Sequence, residues 1–169
     1  AHGRPVRDGG GITPDDTLTA ASYSRLVYSL VLNGIIDQYA LDYARKHESI
    51  PVLKDFHFSD EDYSDFIEFA KGKTFDYRSS AKTLFDQMKK ELEKDGMAEG
   101  MKEQLESLGK CIDIEKEQFL RMKKDEIIPF IEEEIAVRYY YQEAGVQMRL
   151  RYDKQLKEAL NKVSELKID

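Results

Sequence analysis

One apolar run, residues 127–141, constrains the fold of this chain more than any other stretch. It reads I-I-P-F-I-E-E-E-I-A-V-R-Y-Y-Y. Its apolar residues recur every three or four positions, which is the spacing of one helical face: Ile128, Ile131, Ile135 and Tyr139. The consecutive tyrosines at 139–141 turn by about 100° each and so cover most of the circumference. A helix that is apolar on most sides is normally buried on most sides. The run therefore predicts a central helix with the other helices packed around it.

The composition is that of a soluble, highly charged globular domain that favours helix. The chain has 169 residues, of which 41% are apolar and 35% charged, enough for one domain or for a domain with an arm. A net charge of -7 disfavours a nucleic-acid surface, because binding phosphates needs clustered Lys and Arg. No run of about 18 uncharged apolar residues is present to span a membrane. Cys111 is the single cysteine, so no intrachain disulfide can form.

Residues 1–16 are rich in glycine and proline and predict an extended arm. The glycines at 9–11 allow backbone conformations that side chains forbid, and Pro14 biases Thr13 towards extended geometry. Three glycines in a row also raise the entropic cost of ordering, so we expect the arm to lack a stable fold of its own. The chain begins inside this arm without a signal peptide, and we expect it to be cut from a longer protein. Composition alone favours a flexible end, and a lone glycine-rich run is weak evidence for phosphate binding, because neither G-x-x-x-x-G-K-[ST] nor G-x-G-x-x-G is present.

Helical periodicity starts at Thr17, so the sequence predicts an all-α, multi-helix bundle-like domain over residues 17–169. Six to eight helices and no sheet are expected, over residues 17–33, 35–47, 59–70, 79–94, 97–108, 113–124, 127–151 and from 153 onwards. The predicted helix ends are these: N-caps at Thr17 or Thr19, at Asp113 and at Asp153, a capping box of Ser59 with Asp62, and stops at the Asn33-Gly34 pair, Gly72, Gly96 and Gly109. Pro129 predicts a break or kink just before the central helix, and Gly145 is a second weak point.

Each predicted helix carries a stripe of apolar residues that we expect to face the core. In the second and third helices the stripes are Ile35, Ile36, Tyr39, Ala40, Tyr43, and Tyr63, Phe66, Ile67, Ala70. In the fourth and fifth helices they are Ala81, Leu84, Phe85, Met88, Leu92, and Met101, Leu105, Leu108. The first helix presents Leu26, Leu30 and Asn33 with Val27 and Val31 beside them, and the last presents Leu156, Ala159, Leu160, Val163 and Leu166.

Residue types that carry chemistry occur, but none forms a complete site. Ser79 and Lys82 match S-x-x-K, the nucleophile motif of penicillin-binding folds, yet its partner motifs and its sheet are lacking, so a helix first turn is the interpretation we prefer. The histidines, at positions 2, 47 and 57, have no metal-ligand spacing. Cys111 is expected to be a small buried hydrophobe.

Two carboxylate clusters have simpler explanations than catalysis or metal binding. Within Glu132-Glu133-Glu134, the last residue is four positions before Arg138, the spacing of a helical ion pair. The acidic residues at 60–62 suit the positive end of a helix and need no calcium. The sequence therefore predicts no catalytic, cofactor-binding or metal-binding residue in this chain, and no cofactor.

Two stretches resemble one protein family. H-G-R-P-V-R-D-G-G-G-I-T-P-D, at residues 2–15, is similar to the segment that ends the catalytic core of carboxyl-terminal processing (tail-specific) serine peptidases. The rest resembles the helical tail of members from Bacteroides-like bacteria, through S-Y-x-x-L at 22–26, F-x-x-S-D-E-x-Y at 56–63, E-I-x-x-R-Y-Y-Y-Q at 134–142 and Y-D-x-Q-x-K-x-A at 152–159.

The resemblance implies a peptidase parent whose chemistry lies elsewhere. Family members use a serine nucleophile and a lysine base four residues apart, upstream of the Gly-Pro-Asp segment, with a PDZ domain further upstream. Those residues map to no position here, so residues 1–16 would be the end of the missing core and residues 17–169 a non-catalytic C-terminal domain. The resemblance also implies export to the periplasm or cell envelope.

The expected partners follow from this resemblance. They are the parent's own peptidase core, protein or peptide substrates acting through the parent, and a second copy in a homo-oligomer, with no nucleic acid and no membrane span. Bracing the core, oligomerisation and gating of substrate access stay open as roles. The alternative class is an independent helical adaptor that binds another protein, which an unrelated upstream reading frame would favour.

Overall fold

The computed structural model describes residues 22–165, and all regular structure within them is helical. The elements are α1 Arg25–Leu32, α2 Ile35–Lys46, α3 Asp60–Lys71, α4 Ser80–Lys94, a 3₁₀ turn Glu99–Met101, α5 Lys102–Ile112, α6 Lys116–Met122, α7 Lys124–Tyr152 and α8 Lys154–Glu165. The all-α prediction is confirmed for this part of the chain. The predicted arm at 1–16 lies outside the described residues, as do Thr17, Thr19 and Leu166.

Residues 23–153 form one compact unit, and α8 falls in a second. The core of the first unit draws on α1, α2, α3, α6, α7 and the connector between α2 and α3. Its largest fully buried apolar side chains are Phe66, Leu26, Leu30, Ile67, Leu120, Ile127, Ile131, Ile135, Met148 and Val27. Helices α2 and α7 share the most extensive contact, which places α7 at the centre of this unit.

The central-helix prediction is confirmed for residues 127–139, all of which are buried or half-buried. Ile131 and Ile135 are fully buried. The tyrosines at the end of the run behave differently from one another. Tyr139 is half-buried, Tyr140 is 40% exposed and Tyr141 is 82% exposed. The burial expected around the whole circumference therefore stops before Tyr140.

Helix α7 reverses direction at Tyr141, whose backbone has φ 65° and ψ -173°. On either side the chain is helical, so α7 consists of a first half (residues 124–140) and a second half (residues 142–152). The halves lie against each other, since Arg149 is 2.9 Å from Glu133. In a straight helix those residues would be about 24 Å apart along the axis. The long helix is therefore an antiparallel helical hairpin.

The break predicted at Pro129 is wrong. Pro129 lies within α7, and Tyr141 is the residue of the helix with non-helical backbone angles. The hydrogen bond that Pro129 cannot donate would go to the carbonyl of Asp125, an exposed residue near the helix start. Gly145 is not a weak point either. It is buried in the second half of α7, where an added Cβ would come within 2.6 Å of Val137 Cγ2. Its small size lets the two halves approach closely.

The start of α3 agrees with the sequence in detail. Ser59 accepts a hydrogen bond from the backbone N–H of Asp62 at 3.0 Å, and the Asp62 carboxylate accepts one in return from the backbone N–H of Ser59. The expected stripes of α2 and α3 are buried throughout. The predicted stops at Gly34 and Gly96 are also confirmed. Both residues have positive φ, of 64° and 70°, which glycine adopts without strain.

Several helix boundaries differ from the prediction, among them the start of α5, which lies at Lys102 and not at residue 97. Helix α1 begins at Arg25, because Ser24 has extended backbone angles and its N–H donates to Glu126 Oε2 at 2.9 Å. Helix α5 does not stop at Gly109, where the missing side chain leaves room for the Phe85 ring. Asp113 ends α5 and does not start α6, whose N-cap is Glu115.

Helices α4 and α5 form a hairpin with a thin core, contrary to the stripes predicted for them. Phe85 and Leu105 are the buried residues of the pair. Two helices alone cannot cover both stripes. Leu92 is half-buried, and five further large apolar side chains are 42–65% exposed: Leu84, Met88, Met97, Met101 and Leu108. On α8, Leu160 and Val163 of the predicted stripe are exposed as well.

Candidate interaction surface

Ser79 and Lys82, the pair with nucleophile-like spacing, form the first turn of α4. The Ser79 hydroxyl accepts a hydrogen bond from the backbone N–H of Lys82 at 3.0 Å. The Lys82 ammonium lies 3.3 Å from Asp86. The serine thus caps a helix, as preferred from the sequence, and the lysine pairs with a carboxylate of its own helix.

The histidines and the cysteine lie at separate places. His47 stacks on Tyr43 with ring centroids 3.9 Å apart, His57 is exposed, and His2 lies outside the described residues. Cys111 is exposed, so the prediction that it is buried is wrong. The buried residue of α5 is Leu105. Among residues 22–165, no group of three or more His, Cys, Asp and Glu residues is placed to hold a metal ion.

The three adjacent carboxylates of α7 occupy three different environments. Glu134 forms the predicted ion pair with Arg138, at 2.9 Å, and Arg138 also donates to the carbonyl of Asp37 at 3.0 Å, joining α7 to α2. Glu133 faces the second half of α7, and burial raises its pKa although Arg149 opposes the shift. Glu132 is 1% exposed. Sequence reasoning treated them as one cluster and missed this division.

Glu132 is the centre of a buried polar network. Its Oε1 accepts from the backbone N–H of Phe58 at 2.9 Å. Its Oε2 accepts from Arg151 at 3.1 Å and from the Tyr152 hydroxyl at 2.9 Å. Arg151 in turn donates to the backbone carbonyls of Phe56 and Leu53. The network ties both halves of α7 to the α2–α3 connector.

The hydrogen bonds of this network are those of a site that stabilises the fold, not of a site that binds a substrate. Burial first, and then the hydrogen bond to Glu132, raises the pKa of Tyr152 to about 12. Both carboxylate oxygens of Glu132 are engaged, and a buried carboxylate needs such partners to avoid a large desolvation cost. The arrangement holds the hairpin closed and offers no open position to a substrate.

The surface of α1 is the feature that folding does not explain. Leu26, Val27 and Leu30 fill the core with exposures of 0–1%. The opposite side of the same helix is also apolar, with Tyr28 at 55%, Leu32 at 84% and Val31 at 45% exposure. Spacings of three and four make these side chains neighbours on the helix surface. An apolar patch of contiguous residues, unlike a single exposed leucine, is typical of an interaction site.

Aromatic residues extend this patch to the point where the chain enters α1. The Tyr23 ring lies edge-on to Tyr28, with centroids 6.4 Å apart, and to Phe130 of α7 at 5.0 Å. We call Tyr23, Tyr28, Val31 and Leu32 the α1 patch. Sequence reasoning placed Val31 beside the buried face, used Tyr23 only as part of the family resemblance, and did not single out Tyr28 or Leu32. The run V-Y-S-L-V-L, apolar around the whole helix, was the signal available.

Two other surface features are less distinctive. An open groove between the α2–α3 connector and the second half of α7 is lined by Val52, Leu53, Lys54, Tyr140, Glu143, Ala144 and Gln147. It contains neither a histidine nor a hydroxyl or thiol nucleophile of the serine or cysteine type. The methionines of the α4–α5 hairpin are also exposed, and the small core of the hairpin already accounts for their exposure.

Comparison with known families identifies the helical region as a unit. A family model described as "Probable PDZ-protease, C-terminal helical domain" matches residues 26–163. The match covers most of the chain, from the second residue of α1 to residue 163 in α8. No curated protein and no solved structure matches the chain. Within residues 22–165, no helix is both long and apolar enough to cross a membrane.

Proposed function

The chain belongs to the family of C-terminal helical domains of probable PDZ-proteases, and we propose that it is the non-catalytic helical domain of an exported serine peptidase of the carboxyl-terminal processing type. In this proposal a Ser/Lys peptidase core precedes the domain in the same polypeptide. The full protein processes or degrades other proteins in the periplasm or cell envelope. The helical domain acts on the core and does not itself cleave peptide bonds.

The observation that carries the proposal is the order of two matches along the chain. Residues 26–163 match the protease-associated helical domain, and residues 2–15, ten residues earlier in the chain, resemble the segment that closes a tail-specific peptidase core. Neither match alone specifies the peptidase type, because the family description does not name a catalytic serine. Together they favour a serine peptidase over other PDZ-associated proteases.

The structural roles of the residues that carry the resemblance support a non-catalytic domain. In the F-x-x-S-D-E-x-Y segment, Phe56 is buried, Ser59 caps α3, and the Tyr63 hydroxyl donates to the carbonyl of Leu120 at 2.7 Å. In the E-I-x-x-R-Y-Y-Y-Q segment, Arg138 joins α7 to α2, and the Tyr140 hydroxyl donates to the carbonyl of Ile50 at 3.1 Å. These side chains are used in folding and are not arranged around a substrate.

The test compares this chain with the longer protein encoded by the full reading frame. We expect the longer protein to contain a serine and a lysine four residues apart in an α/β core and to cleave an unfolded protein substrate. Cleavage should stop when that serine is replaced by alanine. The purified 169-residue chain should show no cleavage.

Two results would contradict the proposal. Cleavage by the purified chain that is sensitive to serine reagents would place the chemistry in the helical domain. An upstream frame with no peptidase core would favour the independent helical adaptor, whose interaction surface would then be sought first at the α1 patch.

A further inference from the structure

We propose that the α1 patch is the surface through which this domain docks onto the peptidase core of its own polypeptide. The inference rests on the proposed function, because it takes that core to be the partner. It goes further by naming the contact residues, Tyr23, Tyr28, Val31 and Leu32, and by making the contact apolar.

The first argument is the position of the patch along the chain. The segment that resembles the end of a peptidase core covers residues 2–15, and α1 begins at Arg25. The intervening residues span at most about 30 Å when fully extended. Short tethers give an effective concentration in the millimolar range. Even a modest apolar contact near the tether would therefore be occupied in the full-length protein.

The second argument is that the chain is fixed where it enters the helical unit. The backbone N–H of Ser24 donates to Glu126 Oε2 at 2.9 Å, and Lys123 lies 2.5 Å from the other oxygen of that carboxylate. The Tyr23 ring contacts Phe130. These contacts hold the point of attachment next to Tyr28. Anything joined to the N-terminal side of Tyr23 starts its path beside the patch.

The third argument is the chemistry of the patch. The four side chains carry no formal charge, and two are tyrosines, a residue type enriched in protein interfaces. Arg25 is the single charged residue of α1, and it is engaged by Asp76 at 3.0 Å. A surface of this kind suits an apolar protein face. It offers nothing to a phosphate backbone or to an acidic peptide.

The exposed methionines of the α4–α5 hairpin do not share these features. They lie on helices remote in sequence from the predicted core segment. The helices that carry them also bear many charges, from Lys82 to Lys94 and from Lys102 to Lys110. The hairpin is therefore a suitable internal control. Its Leu84 is 65% exposed, which is comparable to the 84% exposure of Leu32 in the α1 patch.

The experiment measures side-chain accessibility in the 169-residue chain and in the full-length protein. In a Cys111→Ser background, Leu32→Cys and Leu84→Cys variants are labelled with a maleimide at low protein concentration. We expect Leu32→Cys to react at least tenfold more slowly in the full-length protein than in the chain, while Leu84→Cys reacts at the same rate in both. Hydroxyl-radical footprinting of the unaltered proteins gives a second readout that needs no substitution. Oxidation of Tyr28 should fall in the full-length protein, and oxidation of Tyr141 should not.

Each other outcome overturns the docking proposal. Equal accessibility of Tyr28 in the two proteins would show that the core does not cover the patch. If Tyr28 in the 169-residue chain becomes better protected from oxidation as the protein concentration rises, a second copy covers the α1 patch. Protection in the dilute chain would mean that the chain covers the patch itself. Failure of the proposed function is separate, because it is decided by the upstream sequence and by the cleavage assay.

Discussion

Arg149 forms an ion pair with Glu133 across 2.9 Å, although both belong to α7. The contact exists because the chain reverses at Tyr141 and brings residues at equal distances on either side of it together. Gly145 and Val137 meet in the same way, nearer to the turn. The domain is therefore organised around a helical hairpin, and its stability depends on how closely the two halves approach.

Replacing Gly145 with Ala should destabilise the domain. In an ordinary helix this change stabilises by about 0.4–1 kcal/mol through the unfolded state. Here the new Cβ would lie 2.6 Å from Val137 Cγ2, so the Val137 side chain or the two halves of α7 must shift. Overpacking of this kind costs about 1–3 kcal/mol. Denaturant unfolding measures the change, and Gly100→Ala, where nothing lies within 4 Å of the added Cβ, is the control.

The contact can be confirmed by a double-mutant cycle. Val137→Ala removes the methyl group that the new Cβ would meet, so we expect the second substitution to restore most of the stability lost in Gly145→Ala. An additive result would mean that the two residues are not in contact and that α7 does not fold back at Tyr141.

Replacing Tyr141 with Gly should stabilise the domain. A side chain at φ 65° and ψ -173° costs about 1–3 kcal/mol, and glycine adopts such angles without that cost. Tyr141 is 82% exposed, so little packing is lost. After allowing for the greater freedom of glycine in the unfolded chain, a gain of about 1 kcal/mol is expected in a denaturant melt. Tyr140→Gly, at a helical position, should instead destabilise.

Local sequence signals were sufficient for elements whose ends depend on nearby residues. The capping box at Ser59 and the turn at Gly34 require contacts within a few residues, and both were predicted. The reversal at Tyr141 has no such signal, since tyrosine disfavours the backbone angles it adopts there. What holds the turn is distant in sequence: the ion pair of Glu133 with Arg149 and the hydrogen bonds of Glu132. Pro129 and Gly145, the local signals for a break, were misleading for that reason.

The candidate surface was missed for a related physical reason. Apolar periodicity predicts which residues leave water, and it cannot tell the domain's own core from a partner. Val31 was therefore assigned with Val27, which is 1% exposed, although the structure leaves Val31 45% exposed. The burial of the apolar stripes on α4 and α5 was overestimated for the same reason, because two helices packed only on each other cannot bury the whole of both stripes.

Ile131→Ala and Ile135→Ala should each destabilise the unit of residues 23–153 by about 2–5 kcal/mol. Both side chains are fully buried on the inward face of α7, and large-to-small changes at such sites leave a cavity. Denaturant unfolding followed by circular dichroism measures the effect. Leu84→Ala, at an exposed position of α4, is the matched control. A loss under about 0.5 kcal/mol for either isoleucine would contradict the central position of α7.

Glu132→Gln should destabilise the domain and Glu133→Gln should not, although the residues are adjacent. The first leaves Arg151 without its buried carboxylate partner, and breaking a buried pair costs about 3–5 kcal/mol. The second removes a carboxylate whose pKa is raised by burial. A raised pKa means that the charged form is less favourable in the folded state, so at pH 7 the neutral amide should leave stability equal or higher.

Measurements as a function of pH distinguish the two carboxylates further. The advantage of Glu133→Gln should disappear as the pH falls below the usual range for glutamate, because the parent carboxyl group is then neutral as well. A large loss of stability at pH 7 would instead mean that the ion pair with Arg149, an exposed arginine, outweighs the burial of Glu133.

The domain should lose stability in alkaline solution, and tyrosine ionisation should be the cause. Burial raises the pKa of Tyr43 and of Tyr152 to about 12 from 10.0, and it raises the pKa of Tyr63 as well. For a group whose pKa is raised by folding, the stabilising contribution is complete below the unfolded value and is lost as the pH rises through the folded value. The free energy of unfolding should therefore fall between about pH 10 and pH 12.

Denaturant melts across this interval test the assignment. Tyr152→Phe lowers stability at pH 8, because the hydrogen bond to Glu132 is lost, but it should make the decline above pH 10 less steep. Tyr141→Phe, at an exposed site, is the matched control and should leave the slope unchanged. If Tyr152→Phe and the parent protein decline in parallel, the Tyr152 hydroxyl is not held against Glu132, and the polar network that closes the α7 hairpin would have to be redrawn around Arg151 alone.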